Sequence, residues 1–369
     1  MKKKIFFNVL VGLILGAVAA RAEVTIAVIA PKASSLAKAG SELFLGARFA
    51  AQEINEAGGI NGEKVDLLTI DDRCDDRLAI STAEMLTLLK SKKIGLVVGP
   101  YCANRFEETS KIYEKAKIFQ IVPTTEAYHA GSEDKRGRLL LLGTKAQMSG
   151  DFFKFYNNNF AGLKVGFVYD DEPESGFGEV AKALSDEFLR FGKSDLLKFY
   201  VFDKASGMND LVKSMKKDGI GIAFVLGKRE QASDFIRKAR KKEENMIIFT
   251  SKKMLEDGVA EEFSENAGAL YVLDRPRLKD SLMFTESLVD LRLHGVEPEG
   301  LFAYGYLSVK LWGDLAKKVK SFSYDKLSKV ANSEEMQEKW GEFLMHSGSI
   351  NAAKYIIEMY KDGGFKQVY

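Results

Sequence analysis

The chain is short of the residues on which most chemistry at protein sites depends. Its 369 residues include only two cysteines and three histidines. His129, His294 and His346 have no second ligand at metal-binding spacing, which argues against a metal site. The sequence also lacks a G-x-S-x-G elbow, a P-loop and a dinucleotide fingerprint after a strand. We therefore expect no metal, no cofactor and no enzymatic activity.

The chain also has little excess of positive over negative charge. The formal net charge is +2, and the charged residues are interspersed along the chain. No block of basic residues is long enough to bind a polyanion, so we expect no nucleic-acid partner.

Long apolar runs are limited to one, at residues 5–19. Lysines at 2–4 precede this run, and Ala20-Arg21-Ala22 follows it. The pattern predicts a cleaved secretory signal over residues 1–22, and hence a soluble periplasmic protein. An uncleaved anchor is the alternative, although the run is short for a membrane span of about 20 residues.

Two cysteines in an exported chain favour a disulfide. Cys74 and Cys102 each follow a predicted strand, and adjacent parallel strands would bring them together. Two separate buried thiols are the alternative. A bridge across this loop would add roughly 3–4 kcal/mol of stability in the chain-entropy treatment.

Strand and helix patterns alternate along the chain. Residues 24–30 form a continuous apolar run, typical of a strand buried on both faces of a parallel sheet. A helix with one apolar stripe follows at 41–57. Similar units repeat to residue 122 and again over 147–272, and a hairpin closes the chain at 354–368. The sequence therefore predicts an α/β protein with two doubly wound, hinged lobes that share a cleft.

Polar side chains follow several predicted strands. Ligands of open α/β sheets bind beyond the carboxyl ends of the strands. Each of these side chains could instead have no part in binding, because lysines are often solvated and serines often cap turns. Their recurrence at one edge favours a small-molecule site. The set comprises Ser34, Ser35, Asn104, Thr124, Glu126, Lys228 and Lys252.

Several motifs carry a family resemblance. Residues 58–76 read GGINGEKVDLLTIDDRCDD, and GPYC follows at 99–102. With GARFAAQEIN before them, SGFGEVAKAL in the second lobe and YIIEMYKDGGF near the end, they resemble the branched-chain amino-acid-binding proteins of ABC transporters. The leucine/isoleucine/valine-binding type has the type I periplasmic binding fold.

The resemblance implies two Rossmann-like lobes joined by three crossover strands. The N-terminal lobe would comprise 23–143 plus 274–343, and the C-terminal lobe 144–273 plus 344–369. It also implies that Cys74 and Cys102 form the family's first-lobe disulfide.

The ligand site implied by the resemblance departs from the family pattern in the first lobe. The family's carboxylate-binding serine corresponds to Ala103, which leaves only backbone N–H groups there and at Asn104. Its threonine after the fourth strand corresponds to Glu126, with Thr124 two residues earlier. The aromatic residue of the second-lobe loop corresponds to Phe177.

Two lysines make the larger departure, in the second lobe. The family's tyrosine corresponds to Lys228, and its acidic partner of the ligand's ammonium falls near Lys252. These lysines favour an anion, so we expect a small organic acid or a modified amino acid in place of leucine. Glu126 could instead take an ammonium from the first lobe, or pair with a lysine.

The resulting hypothesis is a monomeric solute-binding protein that closes on a small ligand and delivers it to an ABC permease in the inner membrane. The same fold could instead present its ligand to a membrane sensor. An exported α/β enzyme is a third reading, for which the sequence offers no convincing catalytic set.

Overall fold

The structure, a computed structural model, has twelve strands and eleven helices among the residues that it describes. Those residues are 23–33, 36–102, 106–123, 137–141, 145–172, 176–202, 207–242, 246–256, 258–261, 269–275, 282–331, 333–340 and 355–369. The predicted signal at 1–22 lies outside them.

The strands are β1 Glu23–Ile29, β2 Lys64–Ile70, β3 Ile94–Val98, β4 Gln120–Val122, β5 Arg138–Leu140, β6 Lys164–Tyr169, β7 Leu197–Val201, β8 Ile220–Leu226, β9 Ile247–Thr250, β10 Leu270–Asp274, β11 Ile356–Lys361 and β12 Gly364–Gln367. The helices are α1 Ala37–Glu56, α2 Asp76–Leu88, α3 Phe106–Lys115, α4 Lys145–Asn159, α5 Phe177–Arg190, α6 Gly207–Lys217, α7 Arg229–Lys242, α8 Leu282–Leu293, α9 Phe302–Val319, α10 Tyr324–Ala331 and α11 Glu334–Trp340.

The strands form two sheets, as the sequence predicts. The first has the order β2-β1-β3-β4-β5, and all its pairs are parallel. The second has the order β12-β11-β10-β9-β8-β6-β7, and it is parallel from β7 to β10. Strand β1 is buried from its second residue onward and β8 at all positions but one. Their sequences are therefore almost entirely apolar, since both faces of these strands are covered. The fold is the two-lobed type I periplasmic binding fold.

Each sheet has its own hydrophobic core, and the chain contributes to both cores more than once. The first core draws on residues 24–141 and 284–340, and the second on 148–273 and 355–357. The chain therefore passes between the two cores three times, between residues 141 and 148, 273 and 284, and 340 and 355. Each crossing includes residues outside the described ranges, so the lobe boundaries at 143/144, 273/274 and 343/344 stay predictions.

The terminal hairpin has the predicted turn chemistry. Strands β11 and β12 pair antiparallel, and Asp362 and Gly363 both have positive φ angles, of 51° and 75°. Two consecutive positive φ angles are what a tight two-residue hairpin turn needs, and an Asp-Gly pair tolerates them well. Sequence reasoning missed one α-helix, the eight-residue α10, and the two short 3-10 helices Ser194–Leu196 and Lys252–Met254. In the part of the chain that is described, no helix is long and apolar enough to cross a bilayer.

Candidate functional site

The loops after β1, β2 and β3 are tied together at one edge of the first sheet. The three strands are neighbours and parallel, so their carboxyl ends meet. The Tyr101 N–H donates to the Ile29 carbonyl at 3.1 Å, and the Lys32 N–H donates to Asp71 Oδ1 at 3.1 Å. Lys32 Nζ also donates to Thr69 Oγ1 at 2.9 Å. These bonds hold the loops together at the carboxyl-end edge of the first sheet.

The structure joins Cys74 and Cys102 in a disulfide with a Cα–Cα distance of 5.2 Å. Arg73 and Cys74 adopt positive φ angles of 52° and 54°. The Cys74 N–H donates to Asp72 Oδ1 at 3.2 Å, which supports this uncommon backbone conformation. The disulfide therefore links the loop after β2 to the loop after β3, beside the expected ligand site.

A buried glutamine holds the loop after β3, and sequence reasoning missed it. Gln120 Nε2 donates to the Gly99 carbonyl at 2.8 Å, and Ser110 Oγ donates to Gln120 Oε1 at 2.6 Å. Gln120 is 1% exposed. A polar residue inside a buried strand needs a partner, and that rule is the signal that could have found it.

Four predicted first-lobe residues, Ala103, Asn104, Thr124 and Glu126, lie outside the described residues, as do Ser34 and Ser35. Their roles in ligand binding stay predictions. Among the described residues, Cys102 and Pro123 precede them and follow β3 and β4, at the same sheet edge.

The second lobe presents its own edge at the carboxyl ends of β6, β8 and β9, which are neighbours in the sheet. Phe177 begins α5 after Gly176, whose φ is 68°. Its ring is partly buried against the second core. The aromatic residue expected in this loop is therefore fixed by packing at the start of a helix, and only part of its surface is open to a ligand.

Lys228 follows β8 and is engaged by carboxylates. Its Nζ lies 3.1 Å from Glu172 Oε2 and 3.8 Å from Asp170 Oδ2. The hydrogen bond with Glu172 is the main cause of a raised pKa of Lys228, which keeps the ammonium charged. The formal charges of Asp170, Glu172 and Lys228 sum to −1.

Lys252 follows β9 and forms an ion pair with Glu358 of β11. Sequence reasoning placed both lysines at this edge but missed their partners, because Glu358 lies far along the chain. The expectation of an anionic ligand rested on two uncompensated lysines. With both ammonium groups paired to carboxylates, that expectation loses its support.

A buried carboxyl group lies beneath the disulfide loop. Asp72 and Tyr113 are 0% and 1% exposed. Among the described residues, Asp72 Oδ2 and the Tyr113 hydroxyl have no hydrogen-bond partner. Burial raises the pKa of the Asp72 carboxyl, and burial together with the charge of Asp72 raises the pKa of Tyr113. The ionised form of Asp72 is therefore costly in the folded protein.

This site gives a pH-dependent stability prediction. The raised pKa of Asp72 means that the folded state keeps a proton that the unfolded state releases above pH 3.8. Stability is lost as pH rises through the folded-state pKa, by about 1.4 kcal/mol for each unit of pKa shift. Asp72→Asn keeps the acceptor for the Cys74 N–H but cannot ionise. Its Tm should rise relative to wild type between pH 4 and pH 8, measured by thermal unfolding.

Asp71→Asn is the matched control. Burial alone would raise the pKa of Asp71, but hydrogen bonds from the N–H groups of Arg73 and Lys32 lower it overall. Because the variant lacks this favourable charge, its Tm relative to wild type should fall as pH rises. This pH dependence is opposite in sign to that expected for Asp72→Asn. Parallel pH profiles for wild type and Asp72→Asn would contradict the prediction.

The described side chains include no group of three or more His, Cys, Asp or Glu residues that could hold a metal ion. The two edges instead offer hydrogen-bonding groups, an aromatic ring and carboxylates. Groups of these kinds line small-molecule sites in proteins.

Comparison with known proteins identifies relatives over nearly the whole chain. The family model described as "Periplasmic binding protein" matches residues 23–342. An amino acid binding protein of Pseudomonas aeruginosa is 27% identical over 329 residues, with 84% of each chain covered.

Solved structures extend the comparison. The ABC transporter substrate-binding protein from Desulfitobacterium hafniense in complex with Leu aligns with a TM-score of 0.71 and 18% identity, covering 94% of this chain and 100% of that one. A solute binding protein from R. palustris in complex with benzoate aligns with a TM-score of 0.64 and 14% identity, covering 94% and 95%. At these identities the likeness shows the fold.

Proposed function

Because the chain belongs to the periplasmic binding protein family, we propose that it is the solute-binding protein of an ABC importer, with an amino-acid-like ligand. Ligand contacts with both lobes would favour the closed state, so binding and closure are one equilibrium. The protein would make and break no bond. A cleaved signal at residues 1–22 and a periplasmic location are part of the same proposal.

The observation that carries the choice of ligand is the charge at the second-lobe edge. Two carboxylates, Glu172 and Asp170, lie beside the single ammonium of Lys228, and Lys252 is paired with Glu358. An α-amino acid needs a carboxylate near its ammonium, and this edge provides one. The relative from Pseudomonas aeruginosa, named an amino acid binding protein, supports the same ligand class.

The first lobe would hold the ligand's carboxylate. Ala103 and Asn104 lie in the sequence between Cys102 and α3, and their backbone N–H groups would bind this anion. Thr124 and Glu126 would contribute from the segment after β4, and Phe177 would contact the ligand's side chain. Lys228 would lie at the edge of the site, held by Glu172.

Isothermal titration calorimetry with the twenty L-amino acids and a panel of organic acids, including benzoate, tests this proposal. We expect at least one amino acid to bind, and to stabilise the protein by about 2.7 kcal/mol at a ligand concentration of 100 times Kd. Glu172→Gln should weaken amino-acid binding several-fold. Glu335→Gln is the matched control, because Glu335 pairs with Lys318 on the first lobe. Binding of organic acids alone would refute the amino-acid proposal.

The permease is the proposed partner. Genes for a permease and an ATPase beside this one would support transport, whereas a neighbouring membrane-sensor gene would favour the sensor alternative. Light scattering of the purified protein would test the expected monomer.

A further inference from the structure

Lys252 connects the cleft edge to a buried carboxylate. It is the first residue of a short 3-10 helix, Lys252–Met254, and lies two residues beyond the end of β9. Its ammonium pairs with Glu358 and lies 5.2 Å from the centroid of the Phe365 ring. The Lys252 side chain is 40% exposed, whereas that of Glu358 is 1% exposed. The carboxylate is therefore inside the lobe, with the ammonium between it and solvent.

The burial of Glu358 makes it costly to replace this ion pair by one between Lys252 and a ligand. An ionised carboxylate removed from water is costly unless a counter-charge and hydrogen bonds compensate it. If Lys252 turned toward a ligand, the buried Glu358 carboxylate would lose its ion pair with that ammonium. A ligand's carboxylate would therefore compete with Glu358 for Lys252 at a disadvantage.

The sheet register explains how a residue near the chain terminus reaches the cleft edge. Glu358 pairs with Val272 of β10, and Val272 pairs with Thr250 of β9. Glu358 therefore lies at the same height in the sheet as Thr250, the last residue of β9, and Lys252 follows two residues later. The terminal hairpin, which also supplies Phe365, sets the environment of the lysine.

We propose that Glu358 is a specificity-determining residue: it neutralises Lys252 and so leaves the second-lobe edge with the net negative charge of Asp170, Glu172 and Lys228. This inference rests on the proposed function, and it assigns the cleft's preference for a ligand amino group to a residue that does not touch the ligand. Glu358 acts through Lys252, so it is a positioning residue.

The test compares two ligands in each protein. One is the amino acid that binds wild type most tightly in the twenty-member panel, and the other is the carboxylic acid that lacks only its α-amino group. Glu358→Gln keeps the side-chain shape but releases the charge of Lys252. If the released charge acts over about 10 Å at an effective dielectric constant of about 20, the affinity ratio of amino acid to deaminated acid should fall by about tenfold.

The double variant Lys252→Met/Glu358→Gln removes both charges and restores the net charge of the edge. Its affinity ratio should return to within about twofold of the wild-type value. Both ligands are titrated into the same preparation, so the ratio does not depend on the folded fraction of a less stable variant. Thermal unfolding of each variant reports any structural cost separately.

The outcomes distinguish the two proposals. If wild type binds none of the amino acids, the proposed function is wrong and this inference falls with it. If an amino acid binds and Glu358→Gln leaves the ratio unchanged, the inference alone is wrong. It is also overturned if the double variant keeps the altered ratio of the single variant.

Discussion

Replacing Gly305 by alanine is expected to destabilise the first lobe by about 3 kcal/mol or more. A Cβ at position 305 would lie 2.1 Å from the Leu43 carbonyl oxygen and 3.0 Å from the Ala47 nitrogen. These are backbone atoms of α1, so no side chain can move aside. Helix α1 approaches the backbone of α9 just as closely, since a Cβ at Gly46 would lie 2.0 Å from the Phe302 carbonyl oxygen.

This contact assembles the first lobe from two separate chain segments. Helix α1 precedes the first crossing, whereas α9 follows the second, and both contribute to the first core. Glycines at the contact let the two helix backbones approach closely. A methyl group at this point forces the helices apart, and the loss extends to the buried side chains around them.

Urea unfolding followed by circular dichroism measures the effect, and tryptophan fluorescence locates it. The two tryptophans, Trp312 and Trp340, both belong to the first core. Gly150→Ala is the matched control, because Gly150 lies within α4 and a Cβ there would meet no described atom of another element within 4 Å. This control should be stabilised by up to about 1 kcal/mol. An unchanged urea midpoint for Gly305→Ala would show that the helices can separate without cost.

Removing the disulfide should cost roughly 3–4 kcal/mol, because the bridge closes a loop of 28 residues in the unfolded chain. The double variant Cys74→Ser/Cys102→Ser avoids a lone reactive thiol. Ligand affinity should fall as well, since Cys102 immediately precedes the predicted carboxylate-binding segment at 103–104. The urea midpoint and the calorimetric Kd measure the two effects.

Reducing agent provides the internal comparison. Dithiothreitol should lower the urea midpoint of wild type towards that of the double variant, and should leave the double variant unchanged. If dithiothreitol has no effect on wild type in partly unfolding urea, the bridge contributes nothing to stability. Production in a reducing compartment should likewise give the less stable form.

Much of the fold was predictable because its signals are local. The apolar run before Pro31, the stripe of α1 and the Asp362-Gly363 turn each depend on neighbouring residues. Helix α10 was missed because its eight residues give too short a stretch for a clear period. The close approach of Gly46 and Gly305 depends on two helices far apart in sequence, so no local pattern could reveal it.

The candidate site divides in the same way. The sequence placed Lys228 and Lys252 after strands, and the structure has them there. It placed Phe177 in a loop, whereas the structure has it as the first residue of α5. It could not supply their electrostatic surroundings. Glu172 reaches Lys228 from the loop after β6, and Gln120 supports the Gly99 carbonyl from a neighbouring strand. Such contacts can be identified only when the order of the strands in the sheet is known.

The sequence by itself determined the α/β class and the paired lobes, because periodicity and strand ends can be recognised from consecutive residues. Only the tertiary structure decided the charge at the second-lobe edge. Lys252 reads as a free cation in the sequence, yet β9, β10 and β11 bring a buried carboxylate to it. Electrostatic energy depends on distance through space, and the sheet sets that distance for residues that the chain keeps far apart.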